Sequence, residues 1–162
     1  MPGISGWRIG LPTYSAAIRV NRQMASPPLT TREYAYFCVL GPGTHQLVSE
    51  KLGFSPTDAW SEGDVNPRNG KVRQRMYWKL ESGLDDKEPL ERHIESLLLV
   101  LGTKAYGLRD LWVEYDLIIS CVGHYPSTGH GVHLNREVVR QAAQLGITFD
   151  MDFYFLEDHE PG

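Results

Sequence analysis

The stretch Thr148-Phe149-Asp150-Met151-Asp152-Phe153-Tyr154-Phe155-Leu156 decides the fold class. Phe149, Met151, Phe153 and Phe155 alternate with Thr148, Asp150, Asp152 and Tyr154. A period of two places the four apolar side chains on one face of a β-strand and the polar ones on the other. A strand with one apolar and one wet face belongs to a sheet whose helices cover one side only, the habit of antiparallel sheets. Arg73–Leu80 repeats the theme, with Met76, Trp78 and Leu80 against Arg73, Arg75, Tyr77 and Lys79. Glu33–Leu40 and Tyr115–Val122 are nearly continuous apolar runs and predict central strands.

Helices separate these strands. Pro89–Leu101 carries Leu90, Ile94, Leu97, Leu98 and Leu101 at helical spacing, with Pro89 suited to the first helical position and Gly102 to the stop. Arg136–Leu145 has Asn135 as cap, Leu134 and Val139 as a staple, and Gly146 as stop. Thr44 predicts the cap of a shorter helix through Leu52, and Thr103–Val113 a further turn or two. A faint repeat links Phe37-Cys38-Val39-Leu40-Gly41 and its helix to Ser120-Cys121-Val122-Gly123 and its helix. The expectation is an α+β domain: an antiparallel sheet of four or more strands, helices on one face, ferredoxin-like, with a duplicated β-α-β unit if the repeat is real.

The 162 residues fit one domain, and 41% hydrophobic with 22% charged residues is a globular composition. No apolar run reaches membrane-spanning length. Two cysteines make no disulfide scaffold, and a net charge of −4 argues against a nucleic-acid partner. Charge is uneven. Residues 1–32 hold Arg8, Arg19, Arg22 and Arg32 and no acid, so the rest carries 12 basic against 20 acidic side chains. With Pro2, Pro12, Pro27 and Pro28, residues 1–32 read as a basic arm, and 33–162 as the single domain. Within the arm, Tyr14–Val20 alternates enough to add an edge strand. A transit peptide fits the arginines but not the prolines, and Met24-Ala-Ser-Pro-Pro also reads as a chain start. The acidic end Glu157-Asp158-His159-Glu160 reads as a solvated tail.

Four groups bear on chemistry. His124, His130 and His133 share the loop 124–133; three imidazoles suit zinc or copper, but the spacing is poor and no carboxylate joins them, so no tightly bound metal is expected. Asp150 and Asp152 share a wet strand face, where carboxylates serve acid–base work or a hard cation; cross-strand pairing with Arg73, Arg75 or Lys79 is the plainer reading. Trp60, Gly63, Asp64, Arg75 and Trp78 suggest a shallow cup for a flat ligand or a peptide, with Trp78 as core and Trp60 in a loop. Cys38 and Cys121 read as inert filling of apolar strands. The turn Gly41-Pro42-Gly43-Thr44 opens a helix and offers free N–H groups to an anion.

Leu52-Gly53-Phe54 with Pro56-Thr57, Trp60, Gly63-Asp64, Trp78 with Ser82, Leu90-Glu91-Arg92-His93-Ile94 with Leu97-Leu98, and Leu145-Gly146-Ile147 before Asp150, Asp152 and Tyr154 follow one another in order. This series resembles the bacterial family catalogued as domain of unknown function 4279, over about Glu33 to Leu156. The resemblance implies a compact α+β domain in the bacterial cytoplasm and carries no catalytic residue. The expected function is a non-catalytic protein- or peptide-binding module, by analogy an inhibitor or immunity-type protein. Trp60, Asp64, Arg73, Arg75, Tyr77, Asp150, Asp152 and Tyr154 are its candidate binding residues. No cofactor, membrane or nucleic-acid partner is expected. The alternatives are a small-molecule or nucleotide-binding domain, and a metal-assisted hydrolase built on His124, His130 and His133.

Overall fold

A computed structural model describes residues 29–156. The proposed edge strand at Tyr14–Val20 and the acidic tail lie outside them. The order is β1 (Arg32–Gly41), α1 (His45–Leu52), β2 (Asp58–Trp60), β3 (Met76–Glu81), α2 (Leu90–Gly102), α3 (Ala105–Leu111), β4 (Asp116–Tyr125), α4 (Arg136–Gln144) and β5 (Thr148–Phe155). The strands form one sheet in the order β2-β3-β1-β4-β5. The expected strands and helices are present with ends shifted by a few residues. The addition is β2, which puts Trp60 on an edge strand rather than in a loop.

The sheet is mixed, not antiparallel throughout. β2, β3, β1 and β4 pair antiparallel, but β5 runs parallel to β4. The reason lies in the connection. α4 carries the chain back across the sheet, so the next strand starts at the same end as β4. In the other half, β3 lies between β1 and β2, so the two strand–helix–strand units are not alike in pairing.

One face of the sheet builds the core. Phe37 and Val39 of β1, Met76 and Trp78 of β3, and Leu117, Ile119 and Cys121 of β4 join residues of all four helices in one buried cluster. From α2 come Leu90, Ile94, Leu97, Leu98 and Leu101, the stripe its spacing predicts. Trp78 is fully buried, and its indole N–H donates to Ser49 Oγ at 3.0 Å, which satisfies its one polar atom.

The apolar face of β5 is not buried as its alternation predicts. Phe149 and Phe153 are partly covered, while Met151 is 37% and Phe155 44% exposed. β5 is an edge strand, and the helix layer is centred on β1, β3 and β4.

The helix ends show where sequence signals compete. Asn135 Oδ1 accepts from the Val138 N–H, the cap its position predicts. Leu134 packs against the core, whereas Val139 is 50% exposed. Thr44 makes no side-chain cap. Instead Ser61 Oγ accepts from the His45 N–H and Glu62 Oε2 from the Gly43 N–H, so the chain itself occupies two of the donors that the Gly-Pro-Gly turn offered an anion. Pro89 precedes the first helical residue rather than being it, and Glu33 accepts from the Leu90 N–H at 3.0 Å. Gly146 ends α4 at φ 70°, with the Trp112 ring lying where a Cβ would project.

Candidate functional site

The second face of the sheet has no helix layer among the described residues. The registers arrange it in rows: Trp60, Tyr77, Leu40 and Asp116; then Asp58, Lys79, Cys38, Ile118 and Thr148; then Glu81, Tyr36, Ser120 and Asp150; then Tyr34, Val122 and Asp152; then Arg32, His124 and Tyr154. Period-2 alternation puts all of these on one side because their strand partners are in register.

The candidate residues occupy two corners of this face. At one corner, the Arg73 guanidinium lies 3.8 Å from the centroid of Trp60, which stacks on Tyr77 at 4.4 Å with planes 20° apart. The Trp60 N–H donates to the Arg75 carbonyl, which fixes the indole flat against the sheet. A short ribbon closed by the Val65–Val72 bridge folds beside it, and Asp64 Oδ2 accepts from the Ser61 N–H at its root. Between ribbon and β2 runs a cleft of about 750 Å³ lined by Asp58, Trp60, Asp64, Asn66, Arg68 and Arg73 among others. A cation over an indole leaves the guanidinium edge able to bind carboxylate or carbonyl oxygens.

At the opposite corner His124 lies between Tyr34 and Tyr154, with centroids 6.4 and 5.0 Å away. Tyr154 donates to Asp152 Oδ2 at 2.7 Å, and that bond to a carboxylate raises the phenol above its ordinary pKa.

The two corners do not pair with each other. β1 and β4 separate β3 from β5, about 14 Å at ordinary strand spacing. The expected cross-strand pairing of Asp150 and Asp152 with Arg73, Arg75 or Lys79 is therefore absent. Arg75 pairs with Asp116 at 2.7 Å and Lys79 with Glu81 at 2.9 Å. Asp150 and Asp152 form no ion pair with a described residue.

The histidine loop is split by the sheet. His124 faces the open side, whereas His130 stacks at 4.3 Å on Tyr125, the next residue along β4, whose side chain points the other way. Among the described residues, no three His, Cys, Asp or Glu side chains come together to hold a metal. Cys38 Sγ is 4.0 Å from Ser120 Oγ, and burial pushes its thiol up to about 11; burial pushes Cys121 up to about 12. Both are protonated at neutral pH and unsuited to nucleophilic work.

Two polar arrangements escaped the sequence reading. Glu33, read as part of an apolar strand, takes the Leu90 N–H on one carboxylate oxygen and the Tyr125 hydroxyl on the other at 2.7 Å. It ties β1, β4 and the start of α2 together. Ser82 Oγ lies 2.5 Å from His93 Nδ1, and His93 is fully buried with Nε2 unpartnered. Only His93's place on the inner stripe of α2 signals its burial, since it lies three residues from both Leu90 and Ser96. No carboxylate among the described residues hydrogen-bonds the imidazole, so the pair lacks the orienting third group of a hydrolytic triad.

These features define a class: an α+β domain with one sheet face covered by helices and the other left open among the described residues, the open face bearing aromatic and charged side chains at two separate corners. The chain belongs to the family described as Domain of unknown function (DUF4279), whose model matches residues 30–156. No curated protein and no solved structure matches it.

Proposed function

We propose that this chain is a non-catalytic protein- or peptide-binding module, and that its contact surface starts at the Arg73–Trp60–Tyr77 stack. The observation that carries this reading is the stack itself beside its cleft. Trp, Tyr and Arg are the side chains that most often dominate interface energetics, and here each is held by a neighbour before any partner arrives. β2 ends the strand order, so a peptide entering the cleft also meets a strand edge that no described strand pairs. Within this reading the first four strands, in the order β2-β3-β1-β4, form a ferredoxin-like unit to which α4 and β5 are appended. An inhibitor or immunity role in the bacterial cytoplasm accords with a small acidic domain of this kind.

The test is a peptide-array screen with the purified chain. Peptides should be retained, and Trp60→Ala and Arg73→Ala should each weaken binding about tenfold or more, the loss of one hot-spot contact. Thermal melts must show both variants folded. Retention of no peptide, or retention indifferent to both substitutions, defeats the reading. A thermal shift by a small-molecule library with no peptide binding would replace it with a small-ligand site.

A further inference from the structure

The corner of the open face around β5 combines aromatic and acidic side chains. The rings of Tyr34 and Tyr154 both stack on His124, and Asp150 and Asp152 lie on the same face of β5. Among the β1, β4 and β5 residues of that face the one Lys or Arg is Arg32, and its guanidinium is held by Asp86 at 2.6 Å. Carboxylates next to aromatic faces are the surroundings a guanidinium prefers, with ion pairing on its edge and cation–π contact on its plane. Residues 1–28 contain Arg8, Arg19 and Arg22, no acid, and the alternating run Tyr14–Val20.

The chain also arrives at the right place. β1 begins at Arg32, opposite His124, and His124 stands opposite Tyr154. The segment preceding β1 therefore emerges about 10 Å, two strand spacings, from Tyr154. Nine residues back from Leu29 is Val20, and that length extends about 30 Å. The eight residues of β5 span about 26 Å, so the reach is sufficient.

We propose that residues 14–22 dock on the β4–β5 part of the open face, with Arg19 and Arg22 against Asp150 and Asp152 and the apolar residues of the run against Tyr34 and Tyr154. This goes beyond the peptide-binding reading and does not rest on it, because it uses the other corner of the sheet. Docking there leaves the Trp60 cleft open to a partner while covering the acidic corner.

Hydrogen exchange on the full-length chain tests it. Amides of residues 14–22 should exchange about tenfold or more slower than an unstructured segment. Arg19→Glu with Arg22→Glu, both upstream of the family-matched domain, should return them to the unstructured rate while β4 and β5 stay protected. Asp150→Asn with Asp152→Asn, and raised salt, should each lower the protection about threefold. Trp60→Ala should leave it unchanged. Exchange at the unstructured rate in the wild-type chain overturns the proposal. So does protection indifferent to both charge-altered variants, and so does protection that fades on dilution, which would assign the contact to a second copy.

Discussion

β3 and β5 carry the same alternating pattern and meet opposite fates. Met76 and Trp78 of β3 are fully buried, while Met151 and Phe155 of β5 remain more than a third exposed. Alternation states which side chains share a face. How deeply that face is buried depends on where the strand sits under the helix layer. β3 lies beside β1 inside the sheet, packed against α1, whereas β5 is an edge to which α4 delivers the chain. Equal patterns at unequal positions therefore predict unequal energies.

The largest test of that difference is Trp78→Ala, which should cost about 3–5 kcal/mol in urea unfolding through loss of a buried aromatic and its Ser49 bond. A cost below about 1 kcal/mol would mean the β3 position is less buried than the structure has it. Next comes Glu33→Ala, which strands the Leu90 N–H and the Tyr125 hydroxyl and should cost about 1–3 kcal/mol. Glu33→Gln, which keeps an acceptor, should recover part of it.

Met151→Ala on β5 should cost about 1 kcal/mol or less, because much of the side chain already meets water. A loss matching that of Trp78→Ala would erase the comparison and imply a cover over β5. Arg75→Ala, which breaks an exposed pair with Asp116, should change stability by about 0–1 kcal/mol. The smallest effect at neutral pH is that of the two thiols. Their folded pKa values are raised from 9.0, to about 11 for Cys38 and about 12 for Cys121. The native state thus holds these protons more tightly than the unfolded chain. The stability this provides is complete below pH 9 and is lost as the pH rises through 11 to 12. Cys38→Ser and Cys121→Ser melts at pH 8 and pH 10 check the sign: the wild type should lose more stability over that interval than the double variant.

Much of the fold was legible because its strong elements are locally encoded. The stripe of α2, the Asn135 cap, the Gly146 stop and the alternation of β3 each depend on spacing within a dozen residues. β2 was not legible, since Asp58-Ala59-Trp60 is too short for a period and becomes a strand only by pairing with β3. The candidate site divides the same way. Trp60, Arg73 and Tyr77 carry the residue types of a binding surface, and the fold brings them together; Asp150, Asp152 and Tyr154 carry similar types and are delivered to another corner.

The sequence by itself determined which residues share a face of a strand or helix, because periodicity is a property of the local backbone and needs no partner. Only the tertiary structure decided the strand order, the parallel run of β5, the separation of the two charged corners and the burial of His93 against Ser82. Each of these depends on which elements meet across the chain. That choice is made by competition for one buried face, a quantity no short window of sequence contains.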